Sequence, residues 1–457
     1  MQKEHITKEM DKSIHILCDE YSRNNHIDPS AFSRYHVKRG LRNEDGTGVM
    51  AGITQICNVH GYVLDEGERF PVEGHLTYRG IDINDLINGC QADNRYGYEE
   101  TAYLLIFGKL PTVDELAEFN HLLAHYRELP DDFTDDMIIK APSPNIMNKL
   151  ARSVLALYSY DDNPDDLSLD NVLRQCIELI ARTPTIITAA YQVRRRAYER
   201  KSMYFHSPKP ELSTAQNILR TMRSNKTFTE DEAHLLDLCL MLHAEHGGGN
   251  NSTFTTRVLT SSGTDTYSSI AGSVCSLKGP KHGGANLKVM EMLDYMKEGI
   301  ADPTDEGQVR DFLVKMLNKE AGDRSGLIYG MGHAVYTLSD PRAVILKRNV
   351  IKLAQGTPTE NDFALLSTVE KLTPELMAEV KGLDPRTICA NVDLYSGLVY
   401  RMLRIPDEVY TPLFAAARMA GWCAHRLEEM RTGGKIIRPA YKAISSRGTR
   451  YIPLSAR

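Results

Sequence analysis

The chain has 457 residues, 42% of them apolar and 25% charged, with a formal net charge of −6: a globular composition, long enough for two domains or for one large domain carrying a smaller one. The mild acidity argues against nucleic acid as the main partner, and no run reaches the roughly 18 apolar residues of a membrane span. The eight cysteines are scattered without a Cys-x-x-Cys pair, against a zinc ribbon or a disulfide framework, and the start carries both charge signs and no apolar segment, so a cytoplasmic protein is expected.

Residues 1–50 are polar, with mixed helical and loop character. A basic stretch there (Arg34, His36, Lys38, Arg39, Arg42) reads as a solvated face, with anion binding as the alternative. Three short, turn-bounded segments at 53–56, 61–64 and 75–78 predict a small antiparallel sheet. After residue 80 almost everything reads as helix, so the fold class expected is all-α, with a small β element near residues 51–80.

A helix over 98–107 is stopped by Gly108. Thr112 and Glu115 then have the spacing of a capping box. Helices follow at 147–158, 167–182 and 186–200, with an acidic loop at 161–166. Arg194, Arg195 and Arg196 read as an exposed helix face. Thr229 and Glu232 form a second capping box, opening a helix over 230–246 that is almost wholly apolar from 235 to 242. His243 and His246, three apart, are expected to share its face. Gly247, Gly248 and Gly249 end it.

Next comes Gly279-Pro280-Lys281-His282-Gly283-Gly284, a rigid turn that leaves the imidazole free to face something. Val309, Phe312, Leu313, Met316 and Leu317 mark a helix face. A second glycine–histidine loop follows, Gly330-Met331-Gly332-His333. Asp340-Pro341 reads as an N-cap with proline at the first helical position, which puts Arg342 in a first turn where anions are favoured. Thr373-Pro374 gives the same start signal. Asp393 sits among apolar and small residues. Leu413, Ala417, Ala420, Ala424 and Leu427 mark a long amphipathic helix with Arg418 beside its stripe. A basic, extended tail containing Arg438 closes the chain.

Three histidines (246, 282, 333) thus lie in or beside glycine turns, together with one aspartate in a weakly polar setting and three arginines (342, 418, 438). Arginine grips carboxylates in pairs of hydrogen bonds. An aspartate that is partly desolvated is a competent base, and neutral histidines can donate to a developing oxyanion. The set points to proton removal beside a carbonyl of a substrate with several carboxylates. The plainer alternative is that the histidines satisfy loop backbones and the arginines pair on the surface. Zinc on His243 and His246 is a further one, weakened because the order is His-Ala-Glu-His rather than His-Glu-x-x-His. Neither a phosphate-binding loop nor a dinucleotide fingerprint is present.

These residues resemble a known family, the citrate synthases together with the 2-methylcitrate synthases. The resemblance rests on Gly279–Asn286, on Gly330-Met331-Gly332-His333-Ala334-Val335-Tyr336 with Asp340-Pro341-Arg342, and on Asn391-Val392-Asp393-Leu394-Tyr395-Ser396-Gly397. Ala417-Arg418 to Trp422 and Ile437-Arg438-Pro439 extend it to the C-terminus, and weaker matches at 76–83 and 107–112 carry it back to about residue 50.

What the resemblance implies is a mainly helical homodimer. Its large domain would be residues 1–282 and 394–457 and its small domain 283–393, with the active site in the cleft. The activity implied is condensation of acetyl-CoA with oxaloacetate and hydrolysis of citryl-CoA to citrate and CoA. By similarity Asp393 would be the base, His282 would stabilise the enolate, and His333 would polarise the keto oxygen. His246, Arg342, Arg418 and Arg438 would hold oxaloacetate, the last from the partner subunit, and Asn250 and Ser252 would line the pocket, the serine supporting His282. No metal or cofactor is implied. The alternatives are a 2-methylcitrate synthase using propionyl-CoA and a non-catalytic CoA- or dicarboxylate-binding protein on the same fold. Relatives often have Asp at Glu245, an acid at Gly247, and Arg and Lys at Ala334 and Thr337. Lys281, Lys288, Lys347 and Arg348 are therefore candidates for the CoA phosphates.

Overall fold

The structure is a computed structural model that describes residues 2–43, 45–445 and 450–457, with side chains from residue 10 onward. It is mainly helical, as expected, with one small sheet. Among the described residues no helix is long and apolar enough to cross a membrane. The chain divides into two compact units, residues 1–50 with 438–457, and residues 51–437.

The smaller unit holds helix α1 (Gln2–Asn24). The basic stretch is largely exposed there, with Arg39 over the ring of Phe32. The described part of the tail is mostly without regular structure, and Lys442 lies 5.3 Å from the centre of the Tyr35 ring. Residues 446–449 of that tail lie outside the described residues.

The larger unit opens with an antiparallel sheet of β1 (Cys57–Asp65), β2 (Glu68–Tyr78) and β3 (Ile81–Asp82). The expected strand at 53–56 does not form. Its donors go elsewhere: Gln55 N–H to the Glu428 carboxylate and Ile56 N–H to Thr54 Oγ1. Helix α2 (Tyr98–Phe107) ends at Gly108 in the left-handed conformation, φ 79°. Helix α3 (Val113–Tyr126) starts with the complete Thr112/Glu115 capping box.

The two helices expected at 167–182 and 186–200 are one, α4 (Leu169–Glu199), with Pro184 inside it. An internal proline costs about 3 kcal/mol. Here Ile180, Ile186 and Ile187 are buried on either side of it, and burying such side chains at about 1.5–3 kcal/mol each offsets the loss.

Next come α5 (Glu230–His243), α6 (Asn251–Ser261), α7 (Thr266–Leu277), α8 (Ala285–Gly299) and α9 (Glu306–Leu317). They are followed by α10 (Pro341–Ala354), α11 (Glu360–Lys381), α12 (Asp393–Met402) and α13 (Tyr410–Thr432). Thr373-Pro374 does not start a helix but lies inside α11, where the Thr373 hydroxyl bonds the Val369 carbonyl at 2.6 Å.

Helix α13 is the hub. It packs on α2, α4, α5, α6 and α7. It is buried from Pro412 to Leu427 on every side, rather than along one stripe as an amphipathic helix would be. Its alanines and Gly421 permit this. A Cβ on Gly421 would run into the carbonyl of Ala244 and the carboxylate of Glu245 just past α5. The centre of the unit is thus built from close backbone approaches, and the functional side chains lie around it.

Candidate active site

Helix α5 starts at the Thr229/Glu232 capping box and ends at His243, so His246 does not share its face as expected. Gly247 turns left-handed at φ 84° and carries the chain away. His243 stays inside with its ring 4.3 Å from that of Phe414, and neither ring nitrogen has a hydrogen-bond partner. His246 instead meets Tyr336, Nε2 to hydroxyl 3.3 Å, and its ring stands edge-on to His333 at 5.1 Å. Burial and the positive charges of Arg342 and Arg418 keep His246 neutral, its pKa well below the usual value.

The loop carrying His333 needs two left-handed glycines, Gly330 and Gly332. It is stitched to the segment before α12. Gly332 N–H donates to the Cys389 carbonyl (2.7 Å), and Asn391 N–H to the Gly330 carbonyl (2.9 Å). Strands β1 and β2 clamp its other side. Thr337 donates to the Gly61 and Val72 carbonyls, and Arg69 to the Val335 carbonyl. A Cβ at Gly61 would lie 2.6 Å from the Cα of Tyr336. Held in this way, His333 Nδ1 accepts main-chain N–H groups from Val335 and Tyr336, both at 3.0 Å. The proton of the neutral ring therefore sits on Nε2.

Asp340 caps α10, as the sequence signal predicts, and does more. It accepts Arg342 N–H at 3.0 Å and grips the guanidinium through Nε (3.0 Å) and Nη2 (2.7 Å). It also accepts Val392 N–H (3.2 Å), next to Asp393. Asp393 opens α12, and its N–H bonds the Asn391 side chain at 3.0 Å. Burial pushes its carboxyl up to about 6, against the pull of Arg342 and Arg418.

His282 is held by a turn, its N–H on the Gly279 carbonyl at 2.9 Å, and the turn is tied to α13 by Thr411 bonding the Gly283 carbonyl. Its Nε2 accepts Ser252 N–H at 3.3 Å from the first turn of α6, and lies 3.0 Å from Ser252 Oγ. A main-chain N–H can only donate, so the ring proton is on Nδ1. Ser252 Oγ is fixed in turn by Trp422 Nε1 (3.1 Å) and by the Asn250 side chain (2.9 Å). Burial, helped by Arg418, lowers His282 to about 4, so the ring is neutral at physiological pH.

Arg418 is fully buried on α13. Its Nε–H bonds the His243 carbonyl at 2.6 Å, and neither Nη1 nor Nη2 has a partner. A buried guanidinium with open N–H groups is costly unless an anion is to be received there. Its charge acts on His246, His282 and Asp393 alike.

The larger unit therefore brings His246, Asn250, Ser252, His282, His333, Arg342, Asp393 and Arg418 into one network. Arg438 is exposed and belongs to the other unit. Of the residues considered for CoA phosphates, Lys288 pairs with Glu291 and Lys347 with Glu370, Arg348 donates to Asn88, and Lys281 is exposed. Among the described residues no three His, Cys, Asp or Glu side chains are grouped as a metal ion needs. Sequence reasoning missed the supports: Tyr336, Asp340 as the partner of Arg342, Trp422 and Glu245. Tyr336, Trp422 and Glu245 meet partners distant in sequence, His246, Ser252 and His425, whereas Asp340 and Arg342 are only two residues apart.

Chemically, the network offers a carboxylate base with its pKa raised to about 6, two imidazoles whose tautomers are fixed by main-chain N–H groups, and a buried arginine whose Nη1 and Nη2 make no hydrogen bond. That is equipment for enolising a carbonyl compound and polarising a second carbonyl. Comparison with known proteins agrees. The model of the citrate synthase C-terminal domain matches residues 44–440. A citrate synthase of Synechocystis sp. is 34% identical over 90% of this chain and 92% of its own. A 2-methylcitrate synthase of Corynebacterium glutamicum is 32% identical over 92% of this chain and 98% of its own. The solved ternary complex of Thermoplasma acidophilum citrate synthase with carboxymethyl coenzyme A and oxaloacetate superposes with a TM-score of 0.74, at 26% identity, covering 92% of this chain and 99% of that one. With its fold and its sequence in agreement, the chain belongs to the citrate synthase family.

Proposed function

We propose that this enzyme, an acyltransferase, condenses acetyl-CoA with oxaloacetate and releases citrate and CoA, and that the residues above divide the work as follows. Asp393 removes a proton from the acetyl methyl. His282 donates from Nδ1 to the thioester oxygen as the enolate forms. His333 donates from Nε2 to the keto oxygen of oxaloacetate, making its carbon electrophilic. His246, Arg342 and Arg418 hold the dicarboxylate, and Asn250 and Ser252 line the pocket and fix His282. Water then cleaves the citryl thioester. The observation that carries this reading is the pair of opposite, fixed tautomers: main-chain N–H groups make Nε2 of His282 and Nδ1 of His333 acceptors, which puts the ring proton on Nδ1 of the first and on Nε2 of the second. Preplaced donors of this kind act where charge develops.

Residues 283–393 act in this reading as a small domain closing on the rest, which keeps water from the thioester until condensation is complete. Arg438 is assigned, on the resemblance, to a partner subunit's oxaloacetate in a homodimer. The test is thiol release from acetyl-CoA, with and without oxaloacetate. Release that needs both substrates is expected, and none with both present overturns the reading. Parallel kcat/KM values for propionyl-CoA measure the 2-methylcitrate synthase activity, which differs by room for one methyl, worth about 1–3 kcal/mol.

The raised carboxyl of Asp393 gives a pH prediction. Only its ionised form can take a proton, and that form is lost as pH falls through about 6. At saturating oxaloacetate, kcat/KM for acetyl-CoA is expected to fall about tenfold per pH unit below that value. A profile that stays flat down to pH 5 removes Asp393 from the role of base.

A further inference from the structure

One acid at the site takes no part in these steps. Glu245 lies between the two histidines that follow the apolar run of α5, and its side chain and that of His425 are both fully buried. His425 Nε2 is 3.1 Å from Glu245 Oε1. The other ring nitrogen, Nδ1, accepts from Arg257 Nε at 3.0 Å, so the proton is on Nε2 and is donated to Glu245. Arg257 in turn pairs with Glu429 at 2.8 Å and with Glu428, and Glu428 accepts Gln55 N–H. The line thus runs from the interior out to the strap before β1. The His246 main-chain N–H adds a further bond to the Glu245 carboxylate, which stays ionised although burial opposes it.

The other oxygen of Glu245, Oε2, has no hydrogen-bond partner. It is accommodated because residue 421 on α13 is glycine. Arg418 Nη1 and Nη2 also lack partners, and Glu245 is the leading opposite charge acting on that guanidinium. The two buried charges therefore act on each other with no hydrogen bond between them. A direct ion pair would occupy the N–H groups that a carboxylate ligand needs. Here the countercharge offsets the burial of Arg418 and leaves its fork open.

We propose that Glu245, held through His425 and Arg257, is a positioning residue for the substrate: it balances the charge of Arg418 and opposes the incoming carboxylate, and so sets the affinity for oxaloacetate. The inference rests on Arg418 being a carboxylate holder. Its consequence has an unusual sign. Removing a merely structural group loosens ligand binding, whereas removing a like charge beside an anion subsite tightens it.

Calorimetric titration with oxaloacetate alone on the parent, Glu245→Gln and Glu245→Asp tests this. Glu245→Gln keeps an acceptor for His425 and is expected to bind oxaloacetate roughly three- to tenfold more tightly. Its KM for oxaloacetate falls while that for acetyl-CoA stays within about twofold. Should Glu245→Gln fail to fold, Glu245→Asp carries the test. It draws the carboxylate back by one carbon, so its Kd moves in the same direction by a smaller factor. An unchanged or weaker Kd in the folded variant, with the parent binding normally, overturns the role of Glu245 alone. A parent that does not bind oxaloacetate overturns this inference together with the functional reading it rests on.

Discussion

Replacing Asp393 by Asn is expected to lower kcat for condensation about 10²–10⁴-fold, the usual contribution of a positioned base. Asparagine has the same shape and keeps the main-chain bond to Asn391, but it cannot accept the proton. Oxaloacetate binding, which depends on His246, Arg342 and Arg418, is expected to stay within a few-fold of the parent by calorimetry. The same substitution has a second effect. The folded-state pKa of Asp393, about 6, lies above its unfolded value. The folded chain therefore binds more protons than the unfolded chain between about pH 4 and 6. The resulting stability is complete below about pH 4 and is lost as pH rises through 6. At pH 8 the ionised carboxylate opposes folding by about 1–3 kcal/mol, which Asn removes. Thermal unfolding at pH 8 should show Asp393→Asn above the parent, with the gap shrinking toward pH 4. An enzyme made more stable and nearly inactive by one substitution is the sign of a group placed for chemistry. Retained activity, or a gap that widens at low pH, contradicts the assignment.

What was legible in the sequence, and what was not, follows the range of the interactions involved. The capping boxes at Thr112/Glu115 and Thr229/Glu232, the stop at Gly108 and the start at Asp340-Pro341 are set by neighbours within a turn, and all of them form. Pro184 and Thr373-Pro374 use the same local vocabulary but lie inside α4 and α11, because buried contacts with distant elements outweigh one lost hydrogen bond. The segment 53–56 has strand composition, yet a carboxylate from α13 takes its donor. At the site, residue identities could be read from the motifs because glycine, histidine and aspartate are unusual in those contexts. Their tautomers could not, since Ser252 N–H reaches His282 across 30 residues. Nor could the Glu245–His425–Arg257 line, whose members are brought together by the packing of α13 against both α5 and α6.

The second large effect is expected at His333, where the two nitrogens can be tested separately. Asparagine places its side-chain oxygen near the position of Nδ1, so His333→Asn can still accept the N–H groups of Val335 and Tyr336 and keep the loop in place. It has nothing at the depth of Nε2, so the donor to the keto oxygen is gone. Glutamine does the reverse: its amide reaches the depth of Nε2, but the two main-chain N–H groups lose their acceptor. If His333 acts by polarising the electrophile, His333→Asn lowers kcat about 10²–10³-fold, the cost of removing one preplaced oxyanion donor. The unfolding midpoint should stay close to that of the parent. His333→Gln should retain more of kcat while losing stability, because two partly buried donors are left unsatisfied, at up to about 1–3 kcal/mol each. The two variants thus cross, one impaired in rate and the other in stability. If His333 serves only to hold its loop, the order reverses: His333→Asn is nearly as active as the parent, and His333→Gln is the poorer enzyme. Steady-state kinetics at saturating oxaloacetate and thermal melts on the same three preparations decide between the two.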